Sequence, residues 1–255
     1  MPEGDTLART AAALRPVLVG RVVTAASARR PGPQVDRVVG ATVTAVTAVG
    51  KHLLVRFDNG LEIRTHLRLH GSWHRYRPGE RWRRPAGRAS LVLEVPGAVA
   101  VCFDAPIVEL FEQRTEPLHP VLARLGPDLL AEPPDLDEAV RRLRDPARAA
   151  RAIAEVLLDL RAIAGIGNEV KNEVLWQARQ SPWTPVGELD EPAVRGLVVL
   201  ARDVLRQGAT TGRRPRHVYR RAGRSCPSCG TAVQVARQGA DLPRLTFWCP
   251  TCQAG

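Results

Sequence analysis

The sequence predicts an α+β multidomain chain: a helix laid against antiparallel β-structure, then a helical region, then a small cysteine-rich ribbon. Three observations predict it. An amphipathic stretch at 6–19 runs into six short β-rich segments, the pattern turns helical from Leu136 onward, and the tail carries two Cys-x-x-Cys pairs.

Taken in order, Leu7, Ala11, Leu14 and Leu18 recur at helical spacing, and Gly20 is the expected stop. Segments 21–28, 42–49, 52–57, 61–66, 90–95 and 98–103 read as strands, with Asn59-Gly60 and Pro96-Gly97 as hairpin signals. An antiparallel set of this kind folds into a sandwich or a barrel, with the first helix packed on it. Cys102 sits in an apolar strand and reads as a buried structural thiol. Pro117, Pro120, Pro127, Pro133 and Pro134 mark a connection between domains. Beyond it, 137–143, 148–160, 168–179 and 191–207 are the expected helices. The expected division is 1–115, a linker at 116–135, a helical domain at 136–215 and the ribbon at 216–255.

A chain of 255 residues has room for about two domains with real cores. Its net charge of +11 points to a polyanionic partner, nucleic acid before an anionic membrane surface. Nearly all the positive charge is arginine, since Lys51 and Lys171 are the only lysines, which reads as codon bias and weakens the charge argument. With no long apolar run and no signal-peptide pattern, the expectation is a cytoplasmic protein that does not enter membranes.

The chemistry-bearing stretch opens the chain: Met1-Pro2-Glu3-Gly4-Asp5-Thr6. Trimming of Met1 leaves Pro2 with a secondary amine of pKa about 8, partly neutral and nucleophilic at neutral pH. Such an amine attacks a carbonyl-like carbon as a Schiff-base lysine does, and Glu3 beside it is placed to move protons. Gly50-Lys51 falls between two strands, where the ammonium either points at the mouth of the sheet or is a plain surface lysine. The 66–73 stretch, with Arg68-Leu69-His70 at its centre, is either a wedge for a base stack or a hairpin with a packed Trp73. The Arg-rich 75–88 stretch reads as a mobile basic loop, solvated or in contact with phosphate. Gly165-Ile166-Gly167-Asn168 precedes a helix, either as an ordinary turn capped by Asn168 or as a phosphate cradle.

In the tail, Cys226, Cys229, Cys249 and Cys252 give C-x₂-C-x₁₉-C-x₂-C, the spacing of a four-thiolate zinc ribbon. Four thiolates leave no open coordination position, so one Zn²⁺ per chain would be structural. Roughly 40 residues with few apolar side chains need that metal to hold a hairpin.

These motifs occur in the same order in the Fpg/Nei family of bifunctional DNA glycosylases. The chain resembles that family from Pro2 to Gln253, through Pro-Glu-Gly, Gly50-Lys51, Leu125-Gly126-Pro127-Asp128, Gly165-Ile166-Gly167-Asn168 and the ribbon. Its opening Pro-Glu-Gly-Asp-Thr is similar to the endonuclease VIII (Nei) branch, actinobacterial type. The resemblance implies a β-sandwich, a helix–two-turn–helix domain and a zinc ribbon, with damaged DNA in the cleft between and the protein acting as a monomer. It implies that Pro2 attacks C1′, Glu3 protonates the sugar ring oxygen, Lys51 serves β-elimination and Arg244 grips phosphate for δ-elimination. Asn168 and Arg124 then match backbone contacts, and Arg68-Leu69-His70 align with the loop that fills the void left by a flipped base. Two departures stand out: Thr6 where many relatives have glutamate, and Arg220 in place of glycine before the ribbon. The expected function is excision of oxidised bases, pyrimidines first, with strand cleavage. Excision of oxidised purines and non-catalytic binding of damaged DNA are the alternatives.

Overall fold

The computed structural model describes residues 2–29, 31–240 and 243–254, so the expected removal of Met1 lies outside the described residues. The chain divides into two compact units, Met1–Ala123 and Arg124–Gly255.

In the first unit, helix α1 (Gly4–Leu18) buries the predicted stripe of Leu7, Ala11, Leu14 and Leu18. The helix ends at the extended Val19, and Gly20 follows it at φ +77°, a conformation that suits glycine. Among the described residues eight strands follow: β1 (Ala25–Ala28), β2 (Val43–Val49), β3 (His52–Phe57), β4 (Leu61–His66), β5 (Ser72–Tyr76), β6 (Ala89–Val95), β7 (Ala98–Phe103) and β8 (Ile107–Glu112). They form two antiparallel sheets, in the orders β1-β6-β7-β5 and β2-β3-β4-β8. This is a sandwich rather than a closed barrel. Leu53, Val55 and Ile63 of one sheet share a core with Leu91, Leu93, Ala100 and Cys102 of the other and with α1. The Cys102 thiol is fully buried, and desolvation pushes its pKa up, as a structural thiol requires.

β5 and β8 lie outside the predicted strands. β5 hides because its polar residues bond one another along the strand: Ser72 Oγ lies 2.9 Å from His74 Nε2, and His74 Nδ1 3.0 Å from the Tyr76 hydroxyl.

In the second unit, α2 (Leu136–Leu143), α4 (Asn168–Gln177) and α5 (Glu191–Thr211) match predicted helices. Asp135 caps α2 through Glu138 N–H at 2.9 Å, and Asp190 caps α5 through Ala193 N–H at 2.8 Å. The helix expected at 148–160 is replaced by a 3₁₀ turn (Pro146–Arg148) and the single turn α3 (Ile153–Val156). Its backbone groups go elsewhere: Ile153 N–H donates to the Thr184 carbonyl and Val186 N–H to the Arg151 carbonyl, each at 2.9 Å. Arg148 and Arg151 both reach back to Asp159. Leu143, Ile153, Leu157, Ile163, Val174, Val198 and Leu205 form this unit's core. The tail pairs β9 (Gln234–Gln238) with β10 (Arg244–Trp248), antiparallel. Among the described residues, no helix is long and apolar enough to cross a membrane.

Candidate functional site

Two hydrogen bonds orient the chain's opening. Gly20 N–H donates to the Val43 carbonyl at 2.8 Å, and Arg15 Nε to the Val46 carbonyl at 2.8 Å. Helix α1 therefore runs antiparallel to β2, its start towards the end of that strand. From Arg15 back to Gly4 is about 16 Å of helix, and from Val46 on to Gly50 about 13 Å of strand. Pro2 and Glu3 thus lie towards the end of the sheet where Gly50-Lys51 turns β2 into β3. Glu3 is buried and its carbonyl opens the helix by accepting from Thr6 and Leu7 N–H. It sits at the N–H end of α1, where backbone dipoles favour negative charge.

Val49 pairs with His52, so Gly50 and Lys51 are the whole loop of a two-residue hairpin. Gly50, at φ +56°, takes the first central position that such turns reserve for glycine. The half-buried Lys51 is held at the sheet's edge by that turn.

Behind Lys51 lies a buried polar group that sequence reasoning did not find. His52 pairs with His66 across β3 and β4, with ring centroids 4.8 Å apart. Arg64 Nε donates to His52 Nδ1 at 3.1 Å, and the Arg64 guanidinium also pairs with Glu109, which meets His119 Nε2 at 3.1 Å. Burial, then Arg64, His66, His119 and Lys51, bring the His52 pKa down to about 2. Burial, then Arg68, Arg64 and Lys51, bring His66 down to about 4. Both imidazoles are therefore neutral at physiological pH. The available signal was alternation: 62, 64 and 66 share the face of β4 opposite the core residues Leu61 and Ile63.

The crossover from β4 to β5 projects Arg68, Leu69 and His70 into solvent, with Leu69 60% exposed. Arg68 holds φ +50°, and Gly71 N–H closes on the Leu67 carbonyl at 2.9 Å. The 75–88 stretch is pinned rather than mobile. Trp82 stacks on Tyr76 and meets Phe103 edge-on, while Arg84 and Arg88 both pair with Asp104.

In the second unit, Gly126 packs on the backbone of Ala162 and Ile163 so closely that a Cβ would meet the Ala162 carbonyl at 2.5 Å. Gly126 N–H donates to the Leu160 carbonyl at 2.7 Å, which holds Gly126 and Pro127 beside the 160–164 segment that leads into Gly165-Ile166-Gly167-Asn168; Arg124, two residues earlier, is exposed. The residue capping α4 is Gly167, not Asn168. The Asn168 side chain instead donates to the Leu245 carbonyl at 2.8 Å, next to the exposed Arg244. Asn168 and Arg244 are thereby brought together. Arg220, the departure from glycine, has φ +57°, which glycine would adopt at lower cost.

The four sulfurs of Cys226, Cys229, Cys249 and Cys252 lie within 4.8 Å of one another, with Cys229–Cys249 at 3.4 Å and Cys226–Cys252 at 3.9 Å. A tetrahedron with zinc–sulfur bonds of about 2.3 Å has edges of about 3.8 Å, so the cluster could hold such an ion.

The sequence and fold have known relatives. Residues 1–106 match the formamidopyrimidine-DNA glycosylase N-terminal domain and residues 125–217 match its H2TH domain. The chain is 42% identical over 266 residues to the "Probable endonuclease 8 2" of Streptomyces coelicolor, covering 100% of this chain and 95% of that protein. It is 38% identical over 263 residues to the "DNA-(apurinic or apyrimidinic site) lyase Nei2" of Mycolicibacterium smegmatis, covering 99% of each. Its fold is similar to that of Lactococcus lactis Fpg in complex with DNA containing an abasic site, with a TM-score of 0.85 at 21% identity over 99% of this chain and 100% of that one. The chain belongs to the formamidopyrimidine-DNA glycosylase/endonuclease 8 family.

Proposed function

We propose that this protein is a base-excision repair enzyme, a DNA glycosylase and abasic-site lyase that uses the Pro2 amine as its nucleophile. The observation that carries the reading is the antiparallel seating of α1 on β2, which directs Pro2 and Glu3 to the end of the sheet where Lys51 turns.

The chemistry follows from one amine. The Pro2 nitrogen bonds to C1′ of the damaged nucleotide as the C1′–base bond breaks, and the base leaves with its electron pair. The proton released from the Pro2 nitrogen passes to the Glu3 carboxylate, which delivers it to the sugar ring oxygen; the ring opens, and an iminium joins protein and sugar. That cation acidifies the C2′ proton, whose removal expels the 3′ phosphate. Lys51 neutralises the adjacent phosphate in this β-elimination. Arg244 holds the phosphate whose loss completes δ-elimination, with Asn168 and Arg124 on the DNA backbone. Arg68, Leu69 and His70 fill the space left by the extruded nucleotide, a role that suits an exposed apolar side chain between two cationic or polar ones.

Residues 1–115 carry the chemistry, and the 136–215 and 216–255 segments hold the DNA. The four cysteines hold one Zn²⁺, which organises the ribbon that bears Arg244 and takes no part in bond making. Oxidised pyrimidines are the preferred substrates, a reading that rests on the resemblance of Pro2-Glu3-Gly4-Asp5-Thr6 to the endonuclease VIII branch. The test is strand cleavage of duplexes carrying thymine glycol, 5-hydroxyuracil, 8-oxoguanine or an abasic site. Faster cleavage at the two pyrimidine lesions supports the preference, and faster cleavage at 8-oxoguanine contradicts it.

A further inference from the structure

Helix α4 grips β10 one residue at a time. Asn168 Nδ2 donates to the Leu245 carbonyl at 2.8 Å, Lys171 Nζ to Thr246 Oγ1 at 2.8 Å, and Phe247 N–H to Asn172 Oδ1 at 2.8 Å. The three helix residues lie at i, i+3 and i+4, one face of the helix, and they engage three consecutive strand residues. The chain continues through the strand: Thr246 Oγ1 donates to Gln238 Oε1 at 2.7 Å, and Gln238 Nε2 to the Pro182 carbonyl at 3.0 Å. Lys171, Asn172, Thr246 and Gln238 are all buried. Gln238 is the cross-strand partner of Arg244.

A two-stranded hairpin is marginal by itself in water. The cysteine cluster fixes the end of β10 that leads into Cys249. The other end carries Arg244 next to the loop, and the α4 side chains hold it. Because a one-residue slip turns every side chain of a strand to the other face, bonds to three consecutive residues fix the side on which Arg244 emerges.

We propose that Lys171 and Asn172 are positioning residues for Arg244, with Thr246 and Gln238 relaying the Lys171 contact to the partner strand. The inference rests on the reading of Arg244 as the residue of δ-elimination. Neither lysine nor asparagine touches DNA in this account; they act through the strand.

The test measures the ratio of δ- to β-elimination products from abasic-site duplex, alongside borohydride trapping at Pro2 and zinc content. Lys171→Met removes the donor and keeps the side chain's length. We expect the δ:β ratio to fall about tenfold, the loss that one buried hydrogen bond to a charged group corresponds to. Trapping and zinc content stay as in the wild type. Thr246→Val breaks the same chain from the strand side with little change of shape, so it decides the matter if Lys171→Met does not fold. Thr246→Ser, which keeps the hydroxyl, retains the ratio, and the Lys171→Met/Thr246→Val pair loses no more than either alone. Unchanged ratios in both single variants, with a lowered ratio in Arg244→Ala, would overturn the positioning role and leave Arg244's own role standing. An unchanged ratio in Arg244→Ala would overturn both.

Discussion

Trp176 donates its indole N–H to the sulfur of Cys226 at 3.4 Å, so helix α4 touches the four-cysteine cluster directly. The same indole stacks on His217 with ring centroids 4.3 Å apart. Three residues earlier on the helix, the Glu173 carboxylate accepts from the backbone N–H groups of His217, Val218 and Tyr219, the approach to the ribbon. A partner that bonds a metal ligand orients it, so cluster and helix stabilise one another.

Metal removal therefore has an optical readout. Chelation is expected to shift tryptophan emission, and the shift should be much smaller in Trp176→Phe. Zinc analysis should give one ion per chain, and Cys249→Ala should lose the ion and weaken DNA binding while borohydride trapping at high protein concentration survives. Normal DNA affinity in Cys249→Ala would show that the ribbon does not contact DNA.

Two glycine substitutions should move stability in opposite directions. Gly126→Ala drives a Cβ into the backbone of Ala162 and Ile163, where nothing flexible can give way, and should cost on the order of 3 kcal/mol. Gly196 is exposed within α5 with nothing within 4 Å of its Cβ position, and Gly196→Ala should add about 0.5–1 kcal/mol by helix propensity. Urea unfolding measures both.

The fold should lose stability on mild acidification. His52 and His66 are held neutral in the folded chain, with pKa values brought down to about 2 and about 4, whereas the unfolded imidazoles titrate near 6.5. Stability is fully present above pH 6.5, and below it the unfolded state binds protons that the folded state refuses. Each such group weakens the fold by about 1.4 kcal/mol per pH unit, less for the half-exposed His66 because solvent screens it. Between pH 7.5 and 5.5 a loss of about 1–2 kcal/mol is expected, and His52→Gln should make the dependence shallower. An identical slope in that variant would mean that His52 titrates normally in the fold.

Leu69→Ala should separate base extrusion from the chemistry that follows. With the exposed leucine gone, excision of thymine glycol from duplex DNA is expected to slow about tenfold, while cleavage at a preformed abasic site changes little. Equal slowing on both substrates would remove the void-filling role from this loop.

What the sequence disclosed follows the range of the interactions involved. Strands β3 and β4 were legible to the residue because local alternation and an Asn-Gly turn define them. The 148–160 helix failed because its apolar spacing is compatible with a helix, while bonds to 184–186 and the pull of Asp159 on two arginines decide the conformation. Pro2, Glu3, Lys51 and the cysteines are short motifs whose chemistry is local. The Arg64–Glu109 pair depends on the β4–β8 register, 45 residues apart, and the α4–β10 contacts on partners about 75 apart. No local pattern carries such pairs.

The claim that Pro2 is the nucleophile is tested most directly by borohydride reduction of the protein on abasic-site and thymine-glycol duplexes, followed by peptide mapping of the adduct. A covalent protein–DNA species joined through the Pro2 nitrogen is expected, absent in Pro2→Ala although that variant still binds the DNA. An adduct of undiminished yield in Pro2→Ala, or one mapped to Lys51 or Lys171, would contradict it.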